Sequence, residues 1–200
     1  MFVVKEKDRV YFADLALCLW AMDSRITRKD CFDPENLYVY KVKGVKNCIM
    51  MGSPQLSEVD ACRYDREVNK RIKASDFTCK DITKSVIPAM NEAIVSKCLQ
   101  IEDYKWKNYF ALAKEDRAFS IVDNIAYEID DYEILVGAMR EIASASFTET
   151  VGQTAIERIL EAARAIKKIQ FGEVFPIAIT DTKNHKIRLY NEQGEMICQY

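Results

Sequence analysis

Between residues 122 and 181 the apolar positions change period in a fixed order, and each change predicts an element. An acidic turn leads into the apolar run Glu133-Ile-Leu-Val136, ended by Gly137, so a strand is expected there. A short helix is expected over Met139–Phe147. From Thr154 to about Gln170, the residues Ile156, Ile159, Leu160, Ala163 and Ile166 recur at spacings of three and four, the stripe of an amphipathic helix. Thr154 with Glu157 three residues on forms a capping box that marks the helix start chemically. Phe175-Pro-Ile-Ala-Ile179, bounded by polar residues, then reads as a buried strand.

The same reading covers the rest of the chain. Val3-Val4 and Val10-Tyr-Phe-Ala13 flank the charged stretch Lys5–Arg9 and predict a hairpin. The apolar run Leu15–Met22 either extends its second strand or forms another, and polar loop follows it. Leu37–Val42 and Cys48–Met51 predict a second hairpin, with Gly44 at the position where a positive φ is wanted. Helices are expected over Ser57–Ile72 and Asp81–Leu99, the latter kinked or started late because Pro88 removes a hydrogen bond. Tyr109–Ala113 with Ala118–Val122, and later Lys186–Tyr190 with Met196–Cys198, complete the strands. Two antiparallel sheets face to face, each with a helix pair on its outer side, satisfy all these apolar faces. The expectation is an α+β fold, a four-layer α-β-β-α sandwich, formed by residues 1–200 as a single domain.

Composition narrows the function classes. A formal net charge of −2 argues against a dedicated nucleic-acid partner, and no apolar run is long enough to span a membrane. Seven cysteines with no CxxC pair read as free thiols in a reducing cytoplasm, and the N-terminus lacks the pattern of a signal peptide. The expected location is therefore cytoplasmic. The glycines are isolated, so no phosphate loop is present and no cofactor is expected.

Local candidates for chemistry have plain structural alternatives. Glu128, Asp130, Asp131 and Glu133 cluster, with Asp130 and Asp131 the candidates for a divalent cation, yet such a run is more often a solvated turn, and no metal is expected. His185 is the only histidine and reads as an exposed turn residue, which excludes a His-based triad and a multi-histidine metal site. Cys48 and Cys62 lack a base and read as buried thiols. Trp20, Tyr38 and Tyr40 could line a groove, but at strand spacing they read as packing.

Four stretches, taken in order, resemble one family. They are Ala21-Met-Asp-Ser-Arg-Ile-Thr27, Met50-Met-Gly-Ser53, Val122-Asp-Asn through Gly137-Ala-Met, and Ile159 to Asp181. Together they are similar to the proteasome β-subunits and related bacterial protease-ring subunits, members of the N-terminal nucleophile (Ntn) hydrolases. The resemblance implies the same sandwich, and an active site where an N-terminal Thr, Ser or Cys attacks with its own α-amine as base. It also identifies Cys48 and Cys62 as near the family's cleft.

The chemistry departs from that pattern. The chain begins Met1-Phe2, and bulky Phe2 should discourage removal of the methionine. A processed start near Lys5, Glu6, Lys7 or Asp8 would expose no nucleophile. Aligned on Gly52 and Ser53, the family's Lys position falls near Tyr38, with Lys41 the closest lysine. The Ser of its Gly-Ser-Gly becomes Ala138. The Asp and Ser that end its fourth helix become Ile166 and Ile169, which are expected in the core. Its loop Asp is Asp14 or Asp23, depending on register. No residue is assigned as catalytic, and Asp14, Asp23, Tyr38, Lys41, Gly52, Ser53 and Ala138 mark a vestigial cleft. The resemblance implies a self-assembling structural or interaction protein without peptidase activity, on the precedent of proteasome α-subunits, and a homo-oligomer. Two alternatives are a divergent Ntn amidohydrolase or peptidase, with a processed start or displaced nucleophile, and a small-ligand binder using the cleft.

Overall fold

The N-terminal hairpin forms where its alternation places it, and the architecture is assembled outward from it. The computed structural model describes residues 2–14, 39–42, 44–52, 66–97, 110–135, 139–169 and 174–199. Strand β1 (Phe2–Glu6) pairs antiparallel with β2 (Arg9–Asp14), and on its other side with β8 (Tyr132–Ile134). Next to β2 lie β9 (Ile177–Asp181), β10 (Arg188–Tyr190) and β11 (Met196–Gln199), giving a six-stranded sheet in the order β11-β10-β9-β2-β1-β8. The second sheet has the order β3-β4-β5-β6-β7. Its strands are β3 (Val39–Lys41), β4 (Cys48–Gly52), β5 (Phe110–Lys114), β6 (Arg117–Val122) and β7 (Ile125–Glu128). Every pairing is antiparallel. Leu15–Met22, with Trp20, lies outside the described residues.

Alternation along the strands makes three cores, as four layers require. Val3, Phe12, Ile49, Ala111, Ala113, Ala118 and Leu135 meet between the sheets. Alanines dominate the β5–β6 side of that interface, which lets two backbones approach closely. The opposite faces of the same strands meet helices. Met50, Leu112, Phe119 and Ile121 pack with Val68 and Ile72 of α1 (Arg66–Ala74) and with Ile82, Val86, Ile87 and Met90 of α2 (residues 79–97). Phe2, Val4, Ala13, Ile177 and Ile179 pack with Phe147 of α3 (Arg140–Glu149) and with Ile159, Leu160, Ala163 and Ile166 of α4 (Ala155–Lys167). Thr154 caps α4 through the expected capping box.

Two expectations change, and a third lies partly outside the described residues. Helix α1 is described from Arg66, with the expected start at Ser57 and the face residues Val59 and Cys62 outside the described residues. Helix α2 starts earlier than expected: Thr78 is its cap, accepting from the Asp81 N–H at 3.2 Å. It runs as Cys79–Asp81, a π-helical turn Ile82–Val86, then Ile87–Lys97. The kink anticipated at Pro88 takes the form of that π turn, because a proline ring clashes with the carbonyl four residues back. Ile169 is not in the core. Helix α4 ends at Lys167, so Ile169 falls beyond it and is 57% exposed, while Ile166 is buried. Strand β7, read from sequence as part of an acidic turn, is an additional element.

Ala113 is fully buried between the sheets, opposite Ile49 and Ala118. Ala113→Leu is expected to cost about 1–3 kcal/mol in urea unfolding by overpacking this interface. Val151→Leu, at a position 72% exposed, should change stability by no more than about 0.5 kcal/mol.

Candidate functional site

The two ends of the sandwich are built differently. At one end the turns are stapled together through Thr182, which is fully buried. Its Oγ1 accepts from the Val10 N–H at 3.1 Å and donates to the Glu115 carbonyl at 2.6 Å. The Glu115 N–H in turn donates to the Asn47 carbonyl at 2.8 Å. Three hairpin turns from both sheets thus share one bonded network. Beside it, the buried Asp181 carboxylate accepts from the Lys183 and Asn184 N–H groups at 2.9 Å and from Arg188 at 2.5 Å. His185 belongs to this turn, with φ +55° and its N–H donating to the Asp181 carbonyl at 3.0 Å; it is half-buried rather than exposed.

The opposite end collects the start of β1, the end of β2, the start of β3, the end of β4 and the end of β8. Asp14 ends β2, paired with Ala178 of β9, and Gly52 ends β4, paired with Phe110 of β5. These two sequence candidates therefore share one end of the sandwich, in different sheets. Lys41 lies deeper in β3, opposite Ile49, while Val39 pairs with Met51. Asp23, Tyr38, Ser53 and Ala138 lie outside the described residues; Tyr38 and Ser53 adjoin β3 and β4 in sequence. Cys48 belongs to the other end. It begins β4 opposite Lys114 and faces the helices rather than the cleft. Burial pushes its thiol up to about 12, so it is neutral and unsuited to nucleophilic attack.

At the end where it starts, β1 presents only apolar groups. Phe2 is 1% exposed, flanked by Ala13 and Ile134, and its ring meets Phe147 edge-on at 5.3 Å. Val3, on the other face, is sealed between the sheets. Lys5 and Glu6 end the strand and Lys7 and Asp8 form its turn, so these residues lie at the stapled end, away from the strand's start.

No family model matches the sequence, and no curated protein matches it. Solved structures do match. Thiobacillus denitrificans BPH superposes with a TM-score of 0.61 at 9% identity, over 90% of this chain and 95% of that one. Eukaryotic HslV from Trypanosoma brucei gives 0.54 at 8% identity, over 90% and 97%. Anbu, described as an ancestral beta-subunit, from Yersinia bercovieri gives 0.52 at 12%, over 100% and 84%. The fold is that of the proteasome-type Ntn subunits. At these identities the likeness is one of fold, and it leaves the chemistry to this chain's own residues.

What lies beneath the end of β1, where Lys5 and Glu6 emerge, is a charged clamp. Arg158 of α4 is 5% exposed and binds both oxygens of Asp131, at 2.6 and 2.8 Å. It also donates to the Phe147 carbonyl at 3.2 Å and lies over the rings of Tyr132 and Phe147 at 5.6 and 5.4 Å. Those rings stack at 4.7 Å, and the Lys5 N–H donates to the Asp131 carbonyl at 2.7 Å. The clamp therefore ties β1, β8, α3 and α4 together, and sequence spacing alone does not reveal a partner 27 residues away.

The same pairing engages both carboxylate oxygens of Asp131 with a guanidinium. Asp130 is exposed, and among the described residues no three His, Cys, Asp or Glu side chains converge on a cation position. Glu6 extends the anchoring, accepting from the Ala155 N–H at the start of α4 at 2.6 Å. Burial, with Glu6 nearby, pushes the Tyr11 hydroxyl up to about 12 and keeps it neutral.

Hydrogen bonds from Arg158 hold the Asp131 carboxyl below the usual carboxylate range. A carboxyl depressed on folding contributes stability above its unfolded value of about 4, and loses it as pH falls through the folded value. Asp131→Asn should therefore cost about 1–2 kcal/mol at pH 7, modest because half of Asp131 remains in water. The gap to the wild-type protein should narrow in urea titrations below about pH 4.

Proposed function

We propose that this protein is a proteasome-like subunit that has kept the Ntn fold and does not cut peptides. It acts instead as a self-assembling structural or interaction protein. One observation supports the reading: β1 (Phe2–Glu6) carries no Thr, Ser or Cys, and it opens on Phe2, an apolar residue locked against Phe147. Catalysis by an N-terminal nucleophile needs a hydroxyl or thiol, with its own α-amine, at the start of that strand. Opening the chain at Cys18 would remove β1 and β2, two interior strands of the six-stranded sheet. Lys41 lies inside β3, and the aligned positions Tyr38 and Ala138 lack the cation and hydroxyl that would stabilise developing charge.

The competing reading is an Ntn amidohydrolase with a displaced nucleophile. Thiobacillus denitrificans BPH, with the same fold, has been solved in complex with epoxomicin. Incubation of this chain with epoxomicin, followed by mass mapping, separates the two. No adduct and no turnover of fluorogenic peptides are expected. An adduct accompanied by loss of peptide hydrolysis would replace the structural reading with the enzymatic one.

Self-assembly is the second half of the proposal. A closed homo-oligomer, a dimer or larger, is expected because symmetric closed assemblies predominate among soluble oligomers. Light scattering at about micromolar concentration should report a mass above that of one 23.1 kDa chain, and a monomer alone would contradict it.

A further inference from the structure

Among the described residues, strand β7 is an edge of the five-stranded sheet, and edges invite unwanted strands. Its hairpin with β6 turns through Asp123 and Asn124, at φ +50° and +64°, the pattern of a type I′ turn. Val122 and Ile125 close that turn as the hydrogen-bonded pair, so the next pair, Ile121 with Ala126, is the non-bonded kind. The Ala126 N–H consequently points out of the sheet. Thr83 Oγ1 accepts it at 3.0 Å.

Thr83 stands in the π-helical turn Ile82–Val86 of α2. There the Ile87 N–H bonds back to the Ile82 carbonyl, five residues away, and the extra residue in the turn accommodates Pro88 immediately downstream. Ile82 and Val86 bury their side chains against the sheet, which leaves the half-buried Thr83 at the side of the helix nearest β7. A second tie comes from the same helix, where Asn91 Nδ2 donates to Asn124 Oδ1 at 3.1 Å.

The strand so covered is well suited to pairing. Ile125 and Tyr127 are 46% and 51% exposed, and the segment Ile125-Ala-Tyr127 carries no charge, proline or glycine. We propose that the π turn of α2 is an edge guard, carrying Thr83 onto the outward N–H of Ala126 and closing β7 to strand addition by a second copy of this chain. It stands apart from the end of the sandwich where β1 starts.

Thr83→Val keeps the shape and removes the acceptor; Thr83→Ser keeps the hydroxyl. In the full chain, Thr83→Val should speed hydrogen exchange at the Ala126 amide by about tenfold, the effect of losing one ordinary hydrogen bond. Its sedimentation profile should gain concentration-dependent species larger than the wild-type assembly, and Thr83→Ser should match the wild type in both respects. An unchanged sedimentation profile for Thr83→Val overturns the proposal, whatever the amide does, and so does equal association by Thr83→Ser. If Thr83→Val does not fold, the wild-type protein still decides: the Ala126 amide must be protected, and exchange as fast as an open chain overturns the guard.

Discussion

A strand hydrogen-bonded on both edges and covered on both faces can carry no unpaired polar side chain without a large desolvation cost, and β1 is in that position. Phe2 and Val4 face the helices and Val3 faces the second sheet, each 1% exposed or less. β2 and β8 hold its backbone on either side. Charged side chains appear only where the strand emerges, at Lys5 and Glu6; there the Lys5 backbone N–H bonds the Asp131 carbonyl, and the Glu6 carboxylate holds the start of α4. The placement of both helices on this sheet follows from what β1 offers them.

The charged clamp on Asp131 and the Thr182 staple divide the labour of holding the layers. Thr182 joins turns from the two sheets at one end, through backbone groups that would otherwise be left unpaired. Arg158 joins helices to the six-stranded sheet, and its burial is tolerable because a carboxylate, a carbonyl and two aromatic faces surround it. The cores between them are filled by alternation alone. With one end stapled, the other end collects the strand termini that an Ntn-type cleft would use, and there the first strand supplies hydrocarbon.

Much of this was legible in the sequence, for physical reasons that differ by element. The hairpins showed themselves by period two, α4 by its stripe and its capping box, and the four-layer order by the sequence of periods. Strand β7 was not legible from hydropathy because only Ala126 of its residues is buried; the Asp123-Asn124 pair, suited to positive φ, was the available signal. Thr78 displaced Asp81 as the α2 cap because Asp81 instead pairs with Ser75. Of the site, only Lys41 lay inside a strand that the pattern predicted; Asp14 and Gly52 extend β2 and β4 one residue past it, and the pairing of Asp131 with Arg158 depended on two elements meeting in space. The resemblance set Cys48 near the cleft, but β4 carries it to the end away from Gly52.

The identity of the mature N-terminal residue bears most directly on whether this fold works as a hydrolase. Mass-spectrometric sequencing of the N-terminus, on protein purified without a tag at that end, is expected to read into Phe2-Val3-Val4 with no Thr, Ser or Cys at the first position. A mature chain that opens on a Thr, Ser or Cys would contradict the proposed lack of a nucleophile and favour an Ntn hydrolase.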